Sequence, residues 1–282
     1  MLLVVTGASF GFNLGTDRAP RPPAGLTFIR AGDINTRYLS WGKTGSPIVL
    51  VPGAFETADT FAALGEQLAT DHRVLSFDVT GTGYSQPRSP FSADHLATQL
   101  LDFVTAMRLT GAVLVGHSSG AAVVGLAALR RPDLIAGVMF LDGDAAALPV
   151  PSFVTSLFID PYRTTILRLG LHADWLVRRI YDSQCGPTCP RLNAVGVQLW
   201  SRPLQQPGTR SSVAFMLHHG IPRMTNVQLD QLRATPMPKS VVFGANDPQY
   251  GKAVPAQVAS RIGAPTPTIV PGRHLTMIAS PR

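Results

Sequence analysis

The sequence predicts an α/β protein, with a mostly parallel central sheet, helices on both faces and an inserted helical segment. Three observations carry this. Between residues 46 and 142, short apolar runs rich in β-branched residues alternate with amphipathic helical patterns. The same alternation returns from residue 239 onward, and the stretch between, 145–226, breaks it with helix-like and irregular segments. At 282 residues and 45% hydrophobic, the chain can bury a large core without covalent staples.

The opening MLLVVTGASFGFNLG is apolar but lacks a preceding basic residue, and it is too broken and short to span a bilayer, so no complete signal peptide is evident. Arg18 to Gly25 holds three prolines and reads as an irregular linker. Residues 1–26 are therefore expected to be an extension and linker peripheral to the fold. The core is expected to occupy 27–144 and 227–282, with 145–226 inserted as a helical lid over the sheet.

Within the core, 26–41 reads as a hairpin around Gly32 and Asp33. SPIVLVPGAF is a buried strand ending in a glycine turn, 57–70 a helix and 72–79 a strand. Residues 92–109 place Leu96, Leu100, Leu101, Val104 and Met107 on one helical face. AVLVGHSS is a strand entering a turn, 120–131 a helix halted by Pro132, and IAGVMFLD a strand. KSVVFGAND, 253–262 and APTPTIVPG supply the last strand, helix and strand.

The net charge is +7 and the isoelectric point near 10, but the cations are scattered and mostly arginine. No dense basic run exists, which argues against a nucleic-acid partner. Two cysteines occur, Cys185 and Cys189. Paired, they would imply an oxidising compartment, exported or in the cell envelope; unpaired, they are two thiols. No second pair of ligands follows at a spacing that suits zinc, and no metal or cofactor is expected.

The stretch VGHSSGAA matches G-x-S-x-G at Gly116, Ser118 and Gly120. The same pattern occurs at Gly7-Ala8-Ser9-Phe10-Gly11, so context must decide between them. A reactive serine of this kind needs a strand before it, glycines where side chains would collide, and a helix after it. Ser118 has all three, whereas Ser9 leads into the proline-rich linker. That linker also removes a dinucleotide-binding reading of the N-terminal glycines, which needs a helix directly after them. Asp247 follows the strand at 241–243 and His274 follows the strand at 266–270. The order Ser118, Asp247, His274 is that of one triad architecture: a nucleophile, an acid that orients the base, and the base.

With these marks the chain resembles the α/β-hydrolase fold family, in its cap-bearing subgroup of serine esterases and lipase-like enzymes. The resemblance rests on PGAF at 52–55, DVTGTGYS at 78–85, GHSSG, GANDP and GRH, and it runs from about residue 27 to the end. It implies acyl transfer through a covalent intermediate on Ser118, with an oxyanion held by the backbone amides of Ala54 and Ser119. It also implies a small-molecule ester substrate with an apolar acyl or alcohol part, in a pocket that includes Phe55, His117 and Trp175. Pro52 stands where relatives commonly carry histidine, and the chain ends soon after His274, where relatives usually continue a full helix.

Several readings stay open beside this one. Asp142 and Asp144 sit where some relatives keep the acid. Asp78 is expected to anchor the Gly81–Gly83 turn, and His218 and His219 to line a pocket or face solvent. The insertion segment TTILRLGLHADWLVRRIY is either a cap helix with its apolar face buried over the site or a basic amphipathic lid that touches a lipid surface. The same fold also serves cofactor-free perhydrolysis or halogenation, carbon–carbon bond hydrolysis, cyanohydrin cleavage, and non-enzymatic ligand binding. Oligomeric state is not legible.

Overall fold

The computed structural model describes residues 2–146 and 159–281; residues 147–158, within the expected insertion, lie outside the described residues. Eight strands form one sheet: β1 (Thr27–Ala31), β2 (Ile34–Trp41), β3 (Ser46–Val51), β4 (His72–Phe77), β5 (Ala112–His117), β6 (Ile135–Leu141), β7 (Lys239–Gly244) and β8 (Thr268–Val270). Their spatial order is β1-β2-β4-β3-β5-β6-β7-β8. The hairpin β1–β2 and the β2–β4 pair are antiparallel. Every other pairing is parallel.

Side chains along the central strands alternate between two cores, as the period of two in a strand requires. In β3, Val49 and Val51 point into one core and Ile48 and Leu50 into the other. The first face is covered by α3 (Ala93–Ala106), α4 (Gly120–Arg130), α9 (Asn226–Ala234) and α10 (Val254–Ile262). Over the second lie α2 (Ala62–Leu68), preceded by a 3-10 turn at Ala58–Phe61, and the short α11 (Thr276–Ala279). Ser92 caps α3 by accepting the His95 amide, and Thr225 with Gln228 forms a capping box on α9. α4 consists of small residues and is buried over most of its length, which lets it lie close between the sheet and α3.

Between β6 and α9 the described part of the insertion holds α5 (Tyr162–His172), α6 (Asp174–Cys185), α7 (Ala194–Leu204) and α8 (Pro207–His219). Residues 164–181, expected as one helix, are two that meet at Ala173. Four of their apolar residues are not packed away: Ile166, Leu169, Trp175 and Ile180 are each about half exposed or more. Cys185 and Cys189 are joined in a disulfide.

Residues 2–15, expected as part of a peripheral extension, form a helix, α1 (Leu2–Gly15), docked on α5. Thr6 shares a 2.6 Å hydrogen bond with the Tyr162 hydroxyl, and the Asn13 amide donates to the Pro161 carbonyl at 2.9 Å. Arg168 donates to the Asn13 carbonyl, to Thr16 and to Asp17. Scattered Thr, Ser and Asn side chains gave no periodic signal, because the contacts they make lie about 150 residues away. No described helix is long and apolar enough to cross a membrane.

Candidate active site

The candidate residues follow the C-terminal ends of β5, β7 and β8, parallel strands of one sheet. β5 runs into Ser118, which takes φ of +50°, a left-handed conformation that a non-glycine residue adopts at a cost of order 1–3 kcal/mol. The Ser118 amide donates to the Leu141 carbonyl at 2.9 Å, and α4 begins two residues later. Glycines make the turn feasible. A Cβ on Gly116 would lie 2.3 Å from the Gly120 carbonyl oxygen, and one on Gly120 would lie 2.5 Å from that of Val51. A Cβ on Gly53, in the loop after β3, would come within 2.9 Å of the Ser118 Cβ. The strand and the sharp turn that Ser9 lacks are present here; Ser9 lies inside α1.

Asp247 and His274 sit on loops after β7 and β8 that are laced together. The Ala245 amide donates to Val270, and that of Asn246 to Gly272. Gly244 passes so close to Arg273 that a Cβ would meet its carbonyl at 2.1 Å. The result is a 2.8 Å hydrogen bond from His274 Nδ1 to one oxygen of Asp247, while the other oxygen accepts the Gln249 amide at 2.8 Å. Both side chains are nearly fully buried. A carboxylate in that place fixes the ring tautomer with Nε2 free to act as a base.

Asp142 is committed elsewhere: it accepts the Gly244 amide at 2.7 Å and the hydroxyl and amide of Thr276. Asp144 bonds the Ala146 amide. Asp78 accepts the Tyr84 and Ala58 amides at 2.8 and 2.9 Å and sits against Gly83. His218 and His219 lie at the surface.

His117 is not on a pocket wall. It is completely buried, with Nδ1 2.8 Å from Glu56 and Nε2 2.8 Å from the backbone carbonyl of His274. Both neighbours are acceptors, so the ring must carry both protons and a positive charge. Burial opposes that charge, but Glu56 first and then Asp142, 3.9 Å away, push the His117 pKa up to about 9. At Glu56 burial opposes ionisation, but His117 together with the Gly53 amide holds that carboxyl below its ordinary range. Burial raises Asp142 to about 6. Glu56 also accepts the Gly53 amide at 2.9 Å. The network thus ties the loop after β3, the turn at Ser118 and the loop of His274 to one charged ring.

Sequence reading passed over Glu56. Its signal was an acid placed between a buried strand and a buried 3-10 turn, next to a histidine that an apolar elbow cannot leave unpaired.

Ala54 and Ser119 line one cleft, together with Phe55, Phe91, Met216 and Pro222. Phe55 separates it from a second cleft lined by Leu199, Trp200 and Ile278. Trp175, expected in the pocket, is 67% exposed and lines neither. No group of three or more metal-ligating side chains is gathered among the described residues.

This sheet order, with a sharp serine turn between a central strand and its helix, is that of an α/β hydrolase, and the chain has that fold. A family profile described as alpha/beta hydrolase fold matches residues 46–170. The chain is 30% identical over 130 residues to ethanol acetyltransferase 1 of Cyberlindnera fabianii, covering 45% of this chain and 36% of that protein. It is 38% identical over 86 residues to esterase YbfF of Escherichia coli K12, covering 30% and 34%. The chain therefore matches about a third of the length of these two relatives. Among solved structures, a bacterial membrane phospholipase A superposes with a TM-score of 0.72 at 17% identity, covering 99% of this chain and 87% of that one.

Proposed function

We propose that the protein is a serine hydrolase that cleaves carboxylic esters with an apolar acyl or alcohol part. The observation that carries this is the strained Ser118 turn, joined through His117 to the backbone of His274, together with the buried His274–Asp247 pair. In this reading His274 Nε2 takes the Ser118 proton as Oγ attacks the ester carbonyl, and Asp247 stabilises the charged ring. The amides of Ala54 and Ser119 receive the oxyanion, each worth about 3 kcal/mol in comparable sites. Collapse of the tetrahedral species expels the alcohol, which takes its proton from His274. Water, deprotonated by the same ring, then releases the acid and frees Ser118. The helices of the insertion act as a cap, and Phe55, at the mouth of both clefts, contacts the substrate.

The similarity to an ethanol acetyltransferase favours one variation, in which an alcohol instead of water takes the acyl group from Ser118. Both begin with the same acyl-enzyme. A fluorophosphonate probe should label the wild type at Ser118, and p-nitrophenyl esters of graded chain length should be hydrolysed by the wild type but not by Ser118→Ala. Ethanol added to the assay separates water from alcohol as acceptor through the ethyl ester formed. A folded wild-type protein that stays unlabelled at Ser118 overturns the reading.

A further inference from the structure

The outward face of α1 and the crevice at its C-terminal end take no part in the proposed chemistry. α1 carries no charged residue along its 14 positions. Its polar side chains turn toward the insertion through Thr6 and Asn13, and Ser9 is buried. Away from those contacts Leu3 is 86% exposed, Leu14 78%, Val4 74% and Phe10 55%. Gly7 and Gly11 lie between them with open space around them. Positions 3, 7, 10 and 14 fall on one stripe of a helix, so the apolar residues form a continuous face. Ile166 and Leu169 on α5, the helix against which α1 packs, are also exposed. Single exposed apolar residues are ordinary; a whole helix face is not.

Beside that face the chain builds a basic hollow. Residues after α1 and the insertion enclose a crevice of about 260 Å³ lined by Arg18, Arg168, His172 and Arg210, with Asp17 as its one carboxylate. Asp17 already pairs with Arg168 at 2.6 Å and faces Arg210 at 3.7 Å, so the arginines leave an excess of positive charge. Thr209 also lines the crevice. Its hydroxyl is buried and has no hydrogen-bond partner among the described residues. Guanidinium groups around one hollow suit a phosphate oxyanion.

We propose that α1 and this crevice dock the protein on an anionic phospholipid surface. The stripe of Leu3, Phe10 and Leu14 enters the apolar side of the interface, and the crevice receives a headgroup phosphate. An apolar face alone would suit a second copy of the chain equally well; the adjoining cationic hollow selects an anionic bilayer.

The test uses the full chain with vesicles of phosphatidylcholine alone or with one-third phosphatidylglycerol, and reads co-flotation. The wild type should bind the anionic vesicles at least about tenfold more strongly, and the preference should shrink as salt rises. Leu3→Asp with Leu14→Asp should lower binding to both vesicles by about tenfold or more, whereas Arg18→Glu with Arg210→Glu should remove only the preference for anionic lipid. All four sites are exposed, circular dichroism checks each variant's fold, and the wild-type comparison needs no variant. Four outcomes overturn the proposal: no vesicle binding; equal binding to both vesicles; self-association that the Leu3→Asp, Leu14→Asp variant abolishes while vesicles are ignored; or binding of inorganic phosphate without vesicle binding. Because binding is read without turnover, its failure and the failure of the ester-hydrolase reading are separate results.

Discussion

Gly53 shows how little room surrounds Ser118. A methyl at this position would press on the Ser118 Cβ at 2.9 Å and the His117 carbonyl at 3.1 Å, neither of which can retreat in a packed turn. Gly53→Ala is expected to lower kcat for p-nitrophenyl ester hydrolysis on the order of 100-fold, with KM changed much less, since a displacement of this size spoils alignment more than binding. Glu56 and His117 predict a pH signature in stability. The His117 pKa is raised in the fold to about 9 from 6.5, so its contribution is complete below about 6.5 and is lost as pH rises through about 9. That loss is on the order of 3 kcal/mol, to be read as a falling Tm between pH 6.5 and 10. Asp142 titrates in a different window, from about 4 to 6, and does not obscure it. Glu56→Gln removes the carboxylate that sustains the charged ring. The variant should melt lower than wild type at pH 7 and lose less on going to pH 10; parallel curves for the two proteins would refute the charged-pair account.

Among the elements, α6 bears on the candidate site most directly, although none of its residues is a candidate for chemistry. Its last turn accepts the Leu275 amide on Gln184, and the carbonyls of Asp182 and Ser183 accept from Arg273. The loop that carries His274 is thus strapped to the end of the insertion. Cys185 closes the strap, being buried against Leu275 and Met277 and bonded to Cys189 four residues on. A loop this short contributes about 2 kcal/mol by limiting the unfolded chain. Cys185→Ser with Cys189→Ser should lower Tm by several degrees. It should also reduce kcat several-fold, because the His274 loop loses part of its support; a fall in Tm with kcat unchanged would limit the disulfide to stability.

At the scale of the whole molecule, the strand and helix order of the core was legible because β3 through β6 are buried on both faces and read as unbroken apolar runs. Ser118, Asp247 and His274 were legible for a related reason: each closes a recognisable strand, so its place in the sheet followed from its place in the sequence. Glu56 was not, since its partner lies 61 residues away and only packing brings them together. Whether the apolar residues of α5 and α6 would be covered by the core or left facing outward stayed open, because periodicity identifies a face without naming what covers it. α1 escaped for the opposite reason, as its anchoring contacts are polar and distant. Those contacts tie the insertion to the N-terminal segment. Besides its two connections to the core, it is clasped by Arg168 to a segment that rejoins the sheet at β1 through 16–26. Arg18 is exposed, and a tryptic cut after it would part α1 from the sheet while leaving Arg202 and Gln206 on the Arg21 and Pro20 carbonyls. The insertion is thus held in part from the far end of the chain, by a segment that contributes nothing to the sheet.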